Sequence, residues 1–264
     1  MPTQRLNGID LYWEQAGEGH RLLMFNGSGS TIERMRPLFN VLGTQFDVVL
    51  HDQRGLGRTE IPAGPYSMSD YAADASALVD FLGWETFNVI GISFGGMVAQ
   101  EFAVTIPERV ERLALLCTSP GGAGGSSYPL HELRSMDEAE RAGISMTIMD
   151  TRFTPEWLAT HPSDQLFVDG ISGQYGAKAG SEAERGEIEQ LNARSVHDVW
   201  DRLDRISAPT FIGAGRYDGI APLSNSEAMA QRIPNAELRV YEGGHGFFAQ
   251  DSTAFPDIFS FLAS

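Results

Sequence analysis

The sequence predicts an α/β fold: a mostly parallel central sheet with helices on both faces and an inserted helical cap. Two observations lead there. Short apolar runs recur at 22–25, 48–50, 87–90 and 112–117, and segments of helical spacing lie between the last three of them. Runs this short suit strands buried on both faces, as a parallel sheet between helix layers requires. The alternation then stops after residue 117 and resumes only near residue 209.

Each element follows from local chemistry. Ile9-Asp10-Leu11-Tyr12-Trp13-Glu14 alternates after the turn former Asn7-Gly8 and reads as a half-exposed strand. Leu22-Leu23-Met24-Phe25 runs into Asn26-Gly27-Ser28-Gly29-Ser30, and Val48-Val49-Leu50 runs into His51-Asp52-Gln53-Arg54-Gly55. Apolar residues at 71, 75, 78, 79 and 82 predict a helix, with Ser69 as its N-cap. A strand at 87–90, a helix at 94–105 and a strand at 112–117 follow. The polar stretch 120–205 shows helical patches around 130–142, 155–160 and 182–204, entered through the glycine-rich hinge 121–125. A strand at 209–213, a helix near 225–232, a strand at 237–241 and a helix near 256–262 complete the pattern. The expected organisation is a core of 1–119 and 206–264, with 120–205 as the cap.

Composition narrows the function. The 264 residues carry a formal charge of −16, and Lys178 is the single lysine. Such a surface repels phosphate, so neither nucleic acid nor an anionic membrane is an expected partner. The single cysteine, Cys117, excludes an intramolecular disulfide and a multi-cysteine metal site, and it ends an apolar run as a small hydrophobe would. No apolar run approaches the ~20 residues of a membrane span, and residues 1–5 do not open a signal peptide, so a soluble cytoplasmic protein is expected.

Gly91-Ile92-Ser93-Phe94-Gly95 fits G-x-S-x-G and lies between a predicted strand and a predicted helix. A serine hydroxyl is a weak nucleophile that must be exposed beside a base, and a strand-to-helix turn exposes it. The bland alternative is a glycine-rich turn that only packs helix on strand. Of six histidines, His245 stands out, flanked by Gly243-Gly244 and Gly246 after the last predicted strand. His20 lies in a polar turn, His131, His161 and His197 fall in the cap, and His51 ends a strand as a structural histidine would. The acid should lie between Ser93 and His245 in a post-strand loop, and Asp218 does; the loop after 112–117 offers Thr118-Ser119-Pro120 and no acid. An aspartate there could also be a mere turn former. The expected oxyanion donors are the backbone N–H groups of Phe94 and Ser28, with Gly27 the neighbour to exclude. Gly27 and Gly29 begin a dinucleotide-type G-x-G-x-x-G, but Ile32 replaces the third glycine, and no lysine follows to make a P-loop. No cofactor or metal is therefore expected.

These motifs, together with Asp52-Gln53-Arg54-Gly55-Leu56-Gly57-Arg58-Thr59, make the sequence resemble the α/β-hydrolase superfamily over essentially its whole length. The 52–59 turn, Gly64-Pro65-Tyr66 and the cap are similar to β-ketoadipate enol-lactone hydrolases and related small esterases, although many relatives carry His-Gly where this chain has Asn26-Gly27. Asp52 and Arg54 are expected to organise their turn by a salt bridge and backbone bonds. The resemblance implies a serine hydrolase, acting on a small-molecule ester or lactone through an acyl-enzyme; Ser93 argues against the aspartate-nucleophile branches. Alternatives sharing the triad are a carbon–carbon bond hydrolase acting on β-diketone ring-fission products and a slow-turnover small-molecule receptor. Specificity is expected from the cap aromatics Phe153, Trp157 and Tyr128. The cap holds eight basic residues against fifteen acidic ones, a net of −7 that disfavours a strongly anionic substrate unless one arginine is aimed inward.

Overall fold

The computed structural model describes residues 3–171 and 180–264. The chain begins with a hairpin of β1 (Thr3–Leu6) and β2 (Ile9–Ala16). Asn7 and Gly8 form its turn at φ of 45° and 79°, the paired left-handed geometry that matches the twist of the two strands. Then β3 (His20–Phe25) leads to α1 (Ile32–Leu42), β4 (Phe46–His51) to α2 (Met68–Phe81), and β5 (Phe87–Ile92) directly into α3 (Phe94–Thr105). After β6 (Val110–Leu116) comes the insertion, with α4 (Glu138–Met149), α5 (Pro155–Thr160), α6 (Pro162–Ile171) and α7 (Glu182–Ser195). The sheet resumes with β7 (Thr210–Gly215), α8 (Leu223–Arg232) and β8 (Ala236–Tyr241), followed by α9 (Phe247–Gln250) and α10 (Ala254–Ala263). Among the described residues no helix is long and apolar enough to cross a membrane.

The eight strands lie in the order β1-β2-β4-β3-β5-β6-β7-β8, antiparallel from β1 to β4 and parallel from there on. Strand parity explains the layers. Leu23, Phe25, Val49, Val89, Leu113 and Leu115 point into one apolar cluster, while Leu22, Met24, Val48, Leu50, Ile90 and Leu116 point into another on the opposite face. Successive side chains of a strand leave opposite sides of the sheet, so apolar runs without alternation are what two covered faces demand. The order turns back at β3, which lies between β4 and β5. In open α/β sheets the crevice beyond the strand ends at such a reversal is where ligands bind.

Two local expectations are corrected. The N-cap of α2 is Ser67, not Ser69: the Ser67 hydroxyl accepts from the Asp70 N–H while the Asp70 carboxylate accepts from the Ser67 N–H. That reciprocal box starts the helix earlier and leaves Ser69 inside the first turn. Asp52 and Arg54 do not pair with each other. The Asp52 carboxylate accepts from the N–H groups of Ile32 and Arg58 at 2.7 and 2.9 Å, whereas Arg54 grips buried Asp74 through Nε and Nη2, both at 2.7 Å.

Two buried histidines, His51 and His197, have their pKa pushed down to about 4 by burial. A folded-state pKa below the unfolded value near 6.5 means the unfolded chain binds more protons between those limits. Stability from each neutral ring is therefore complete above pH 6.5 and declines as pH falls toward 4. Glu14, held down to about 2 chiefly by Arg36, loses its contribution as pH falls from 4.5 toward 2, so it overlaps only the acid end of this window. The urea midpoint of the wild type is expected to fall relative to that of His51→Leu between pH 6.5 and 4. The difference should reach the order of 3 kcal/mol, and a pH-independent difference would show that His51 does not titrate in this range.

Candidate active site

At the C-terminal end of β5 the backbone turns without a loop into α3. Ser93 occupies that corner at φ 56° and ψ −116°, a left-handed φ that costs a residue with a Cβ roughly 1–3 kcal/mol. Four hydrogen bonds hold its backbone there. The Ser93 N–H donates to the Leu116 carbonyl at 2.8 Å, and the Ser93 carbonyl accepts from Thr118 Oγ1 at 2.8 Å and from the Gly96 and Met97 N–H groups at 2.9 and 3.2 Å. The motif's glycines are a matter of space. A Cβ on Gly91 would stand 2.7 Å from Ala99 Cβ, and one on Gly95 would run into the Phe25 carbonyl. Helix α3 can begin at the sheet edge because nothing projects at either position.

His245 arrives on the loop after β8 and Asp218 on the loop after β7. Ser93 Oγ lies 2.8 Å from His245 Nε2, and His245 Nδ1 lies 2.8 Å from Asp218 Oδ2. With Nδ1 protonated, the ring donates to the carboxylate and accepts from the serine hydroxyl. The Asp218 side chain is fully buried, and its other oxygen accepts the N–H groups of Ile220 and Ala221, both at 2.8 Å. Those bonds fix the rotamer of the carboxylate.

The loop after β3 passes close by. A Cβ on Gly27 would stand 3.7 Å from Ser93 Cβ, and among the described residues neither the Ser28 nor the Phe94 N–H has a hydrogen-bond partner. Phe94 is the first residue of α3, so its N–H also carries the positive end of that helix. Asn26 is fully buried; its carbonyl accepts from Gln53 Nε2, and among the described residues both polar atoms of its side chain lack partners. Cys117, just past β6, is buried, and burial pushes its thiol well above its usual range, so it is no thiolate at neutral pH.

The insertion touches this site at its hinges. Gly121 and Asp198 pair as an isolated bridge, so the two ends of 120–205 meet. The C-terminal end of α4 reaches the triad loops: Met149 and Ile148 carbonyls accept from the His245 and Gly219 N–H groups at 2.6 and 3.0 Å, and the Thr151 N–H donates to Tyr217. Phe153 is fully buried beside Phe167, whose ring lies against Gly246, next to His245. The Tyr128 N–H donates to the Ile220 carbonyl beside the Asp218 loop. Trp157 is engaged within the insertion, stacked on His161 at 3.7 Å and donating to Asp164. Two residues that sequence reasoning did not single out come close: Gln190 Oε1 accepts from the Gly29 N–H at 2.7 Å, and buried Arg194 donates to the Tyr128 carbonyl at 2.7 Å. Their only sequence signal was a four-residue spacing on one helix.

Comparison with known proteins identifies the fold family. Residues 21–252 match the model of the α/β hydrolase fold. The chain is 32% identical over 254 residues to a poly(3-hydroxyalkanoate) depolymerase of Ectopseudomonas oleovorans, covering 91% of this chain and 83% of the relative. It is 25% identical to 3-oxoadipate enol-lactonase 2 of Acinetobacter baylyi, covering 92% and 89%. Its fold superposes on the crystal structure of the enol-lactonase from Burkholderia xenovorans with a TM-score of 0.80 over the whole of both chains, at 22% identity.

Proposed function

Because the chain belongs to the α/β hydrolase fold family, we propose that it cleaves a small-molecule carboxylic ester or lactone through an acyl-enzyme formed on Ser93. His245 Nε2 takes the hydroxyl proton as Ser93 Oγ bonds to the carbonyl carbon. The carbonyl oxygen becomes an oxyanion, which the N–H groups of Ser28 and Phe94 receive. Asp218 holds the ring with Nδ1 protonated and stabilises the imidazolium. On collapse of this intermediate, His245 gives its proton to the leaving oxygen; water, activated by the same ring, then deacylates Ser93. The segment 120–205 acts as the cap over the pocket, with Phe153 and Tyr128 on its inner side.

The single observation that carries this reading is the unbroken chain of two 2.8 Å hydrogen bonds from Ser93 Oγ through His245 to Asp218. The names of the two relatives, a depolymerase of a hydroxyalkanoate polymer and an enol-lactonase, accord with an ester or lactone substrate. A serine-directed fluorophosphonate is expected to add once, at Ser93, and to abolish turnover of a chromogenic ester; Ser93→Ala should neither label nor turn over. Labelling at another serine with loss of activity, or an active protein that does not label, would assign the nucleophile elsewhere.

A further inference from the structure

The buried face of α7 holds a charge that the protein itself leaves unanswered. Gln190 and Arg194 lie one turn apart on that face. Gln190 is bonded to Gly29 of the loop after β3, and Arg194 Nη1 to the Tyr128 carbonyl, whose own residue is bonded to Ile220 beyond Asp218. The helix therefore bridges the two loops that flank Ser93. Arg194 is 5% exposed, and among the described residues its Nε and Nη2 are buried without a partner, as are Gln190 Nε2 and Ser28 Oγ.

A buried guanidinium needs a counter-charge. Elsewhere in this chain it has one: buried Arg54 grips Asp74, and half-buried Arg152 grips Asp150 in the same way, each through Nε and Nη2 side by side. Arg194 presents that same edge with no carboxylate on it. Asp218 is the acid whose field reaches it, but both Asp218 oxygens are already taken, by His245 and by the N–H groups of Ile220 and Ala221. Burial pushes the Arg194 pKa down to about 10, which still leaves the group charged at neutral pH. The Nε/Nη2 edge is a fork that fits the two oxygens of a carboxylate.

We infer that Arg194, assisted by Gln190 and Ser28 Oγ, is the recognition site for a carboxylate on the substrate, so that the ester or lactone cleaved is an anionic one. The inference rests on the acyl-enzyme reading for its chemistry, although its binding component can be tested without turnover. The net −7 of the insertion does not oppose it, because the exposed acids face solvent while Arg194 is buried and bonded to Tyr128 beside the Asp218 loop.

The test uses p-nitrophenyl butyrate against the p-nitrophenyl hemiesters of succinate and glutarate. The wild type is expected to favour a hemiester in kcat/KM by ~10-fold or more, and Arg194→Gln to lower the hemiester-to-butyrate ratio by ~100-fold, mainly through KM. Arg194→Lys should recover only part, since an ammonium lacks the fork. Butyrate preference in the wild type, or a ratio unchanged by Arg194→Gln, would overturn the inference. Independently, succinate or glutarate should raise the Tm of the Ser93→Ala protein, and no rise with either would overturn it even if the Arg194 variants do not fold. Failure of the hydrolase reading is distinct: no ester is turned over and Ser93 does not label, whatever the diacids do.

Discussion

Asp218→Asn is expected to lower kcat by about 10³- to 10⁴-fold on the best substrate while the protein stays folded. The reasoning is a matter of hydrogen-bond polarity. Asp218 Oδ1 accepts from the N–H groups of Ile220 and Ala221, and an asparagine carbonyl oxygen can accept from both in the same rotamer. Its amide nitrogen then faces His245 Nδ1, where Oδ2 now lies at 2.8 Å. An amide N–H is a donor only, so the ring must turn its lone pair on Nδ1 toward it and carry its proton on Nε2. That tautomer cannot take the proton of Ser93. Initial rates, with circular dichroism to confirm folding, check the result, and phosphonate labelling of Ser93 should slow in parallel. A folded variant that keeps more than a tenth of the wild-type kcat would remove Asp218 from the supporting position.

Much of the core was legible because it is written in short-range chemistry. Buried parallel strands need apolar residues on both faces, and β3 to β7 carry them as continuous runs. The turn at Asn7-Gly8 was equally plain, yet β1 before it was not: four residues at the sheet edge, none of them buried, give no pattern to read. Helix α1 was missed although Ile32, Phe39 and Leu42 are buried along one side, because Pro37 inside it is a breaker signal. In the insertion, the patch expected at 130–142 divides into a short 3₁₀ turn at Glu132–Ser135 and α4, which begins only after Asp137 caps it.

At the candidate site the legible part was the part tied to backbone corners. Ser93, Asp218 and His245 each follow a strand, and the parallel run of β5 to β8 brings their loops to one end of the sheet. Interactions between distant segments were not legible. Nothing in Arg54 names Asp74, twenty residues away, as its partner in preference to Asp52, two residues away. Helix α7 hides its inward face because it is polar on all sides. Gly186, Gln190, Ala193 and Arg194 are its buried residues, and no apolar stripe marks them. Among the aromatics of the insertion, the sequence could not separate Phe153, buried beside the His245 loop, from Trp157, held by His161 and Asp164.

Excising residues 126–196 and joining the ends with a short Gly-Ser linker is expected to lower kcat on p-nitrophenyl acetate by at least ~10²-fold. A small neutral ester isolates the effect from lost substrate contacts. The linker itself is permissible, since Gly121 and Asp198 already pair at the neck. What disappears is the end of α4, which bonds to the His245 and Gly219 N–H groups and, through Thr151, to the Tyr217 carbonyl. Each such bond contributes about 1 kcal/mol, but their effect on rate is through position. They restrain the two loops that carry His245 and Asp218, and a displacement near 1 Å can cost ~10²-fold. Gly244→Ala tests the same coupling in the intact chain. Its Cβ would drive against the Met149 carbonyl, with Asp150 Cβ 2.6 Å away, and so push the His245 loop from α4. It should lower kcat in the same direction, by ~10-fold or more. A folded excised core, or a folded Gly244→Ala protein, with near wild-type kcat on the acetate would mean that the core alone sets the geometry of His245 and the insertion serves only to select substrates.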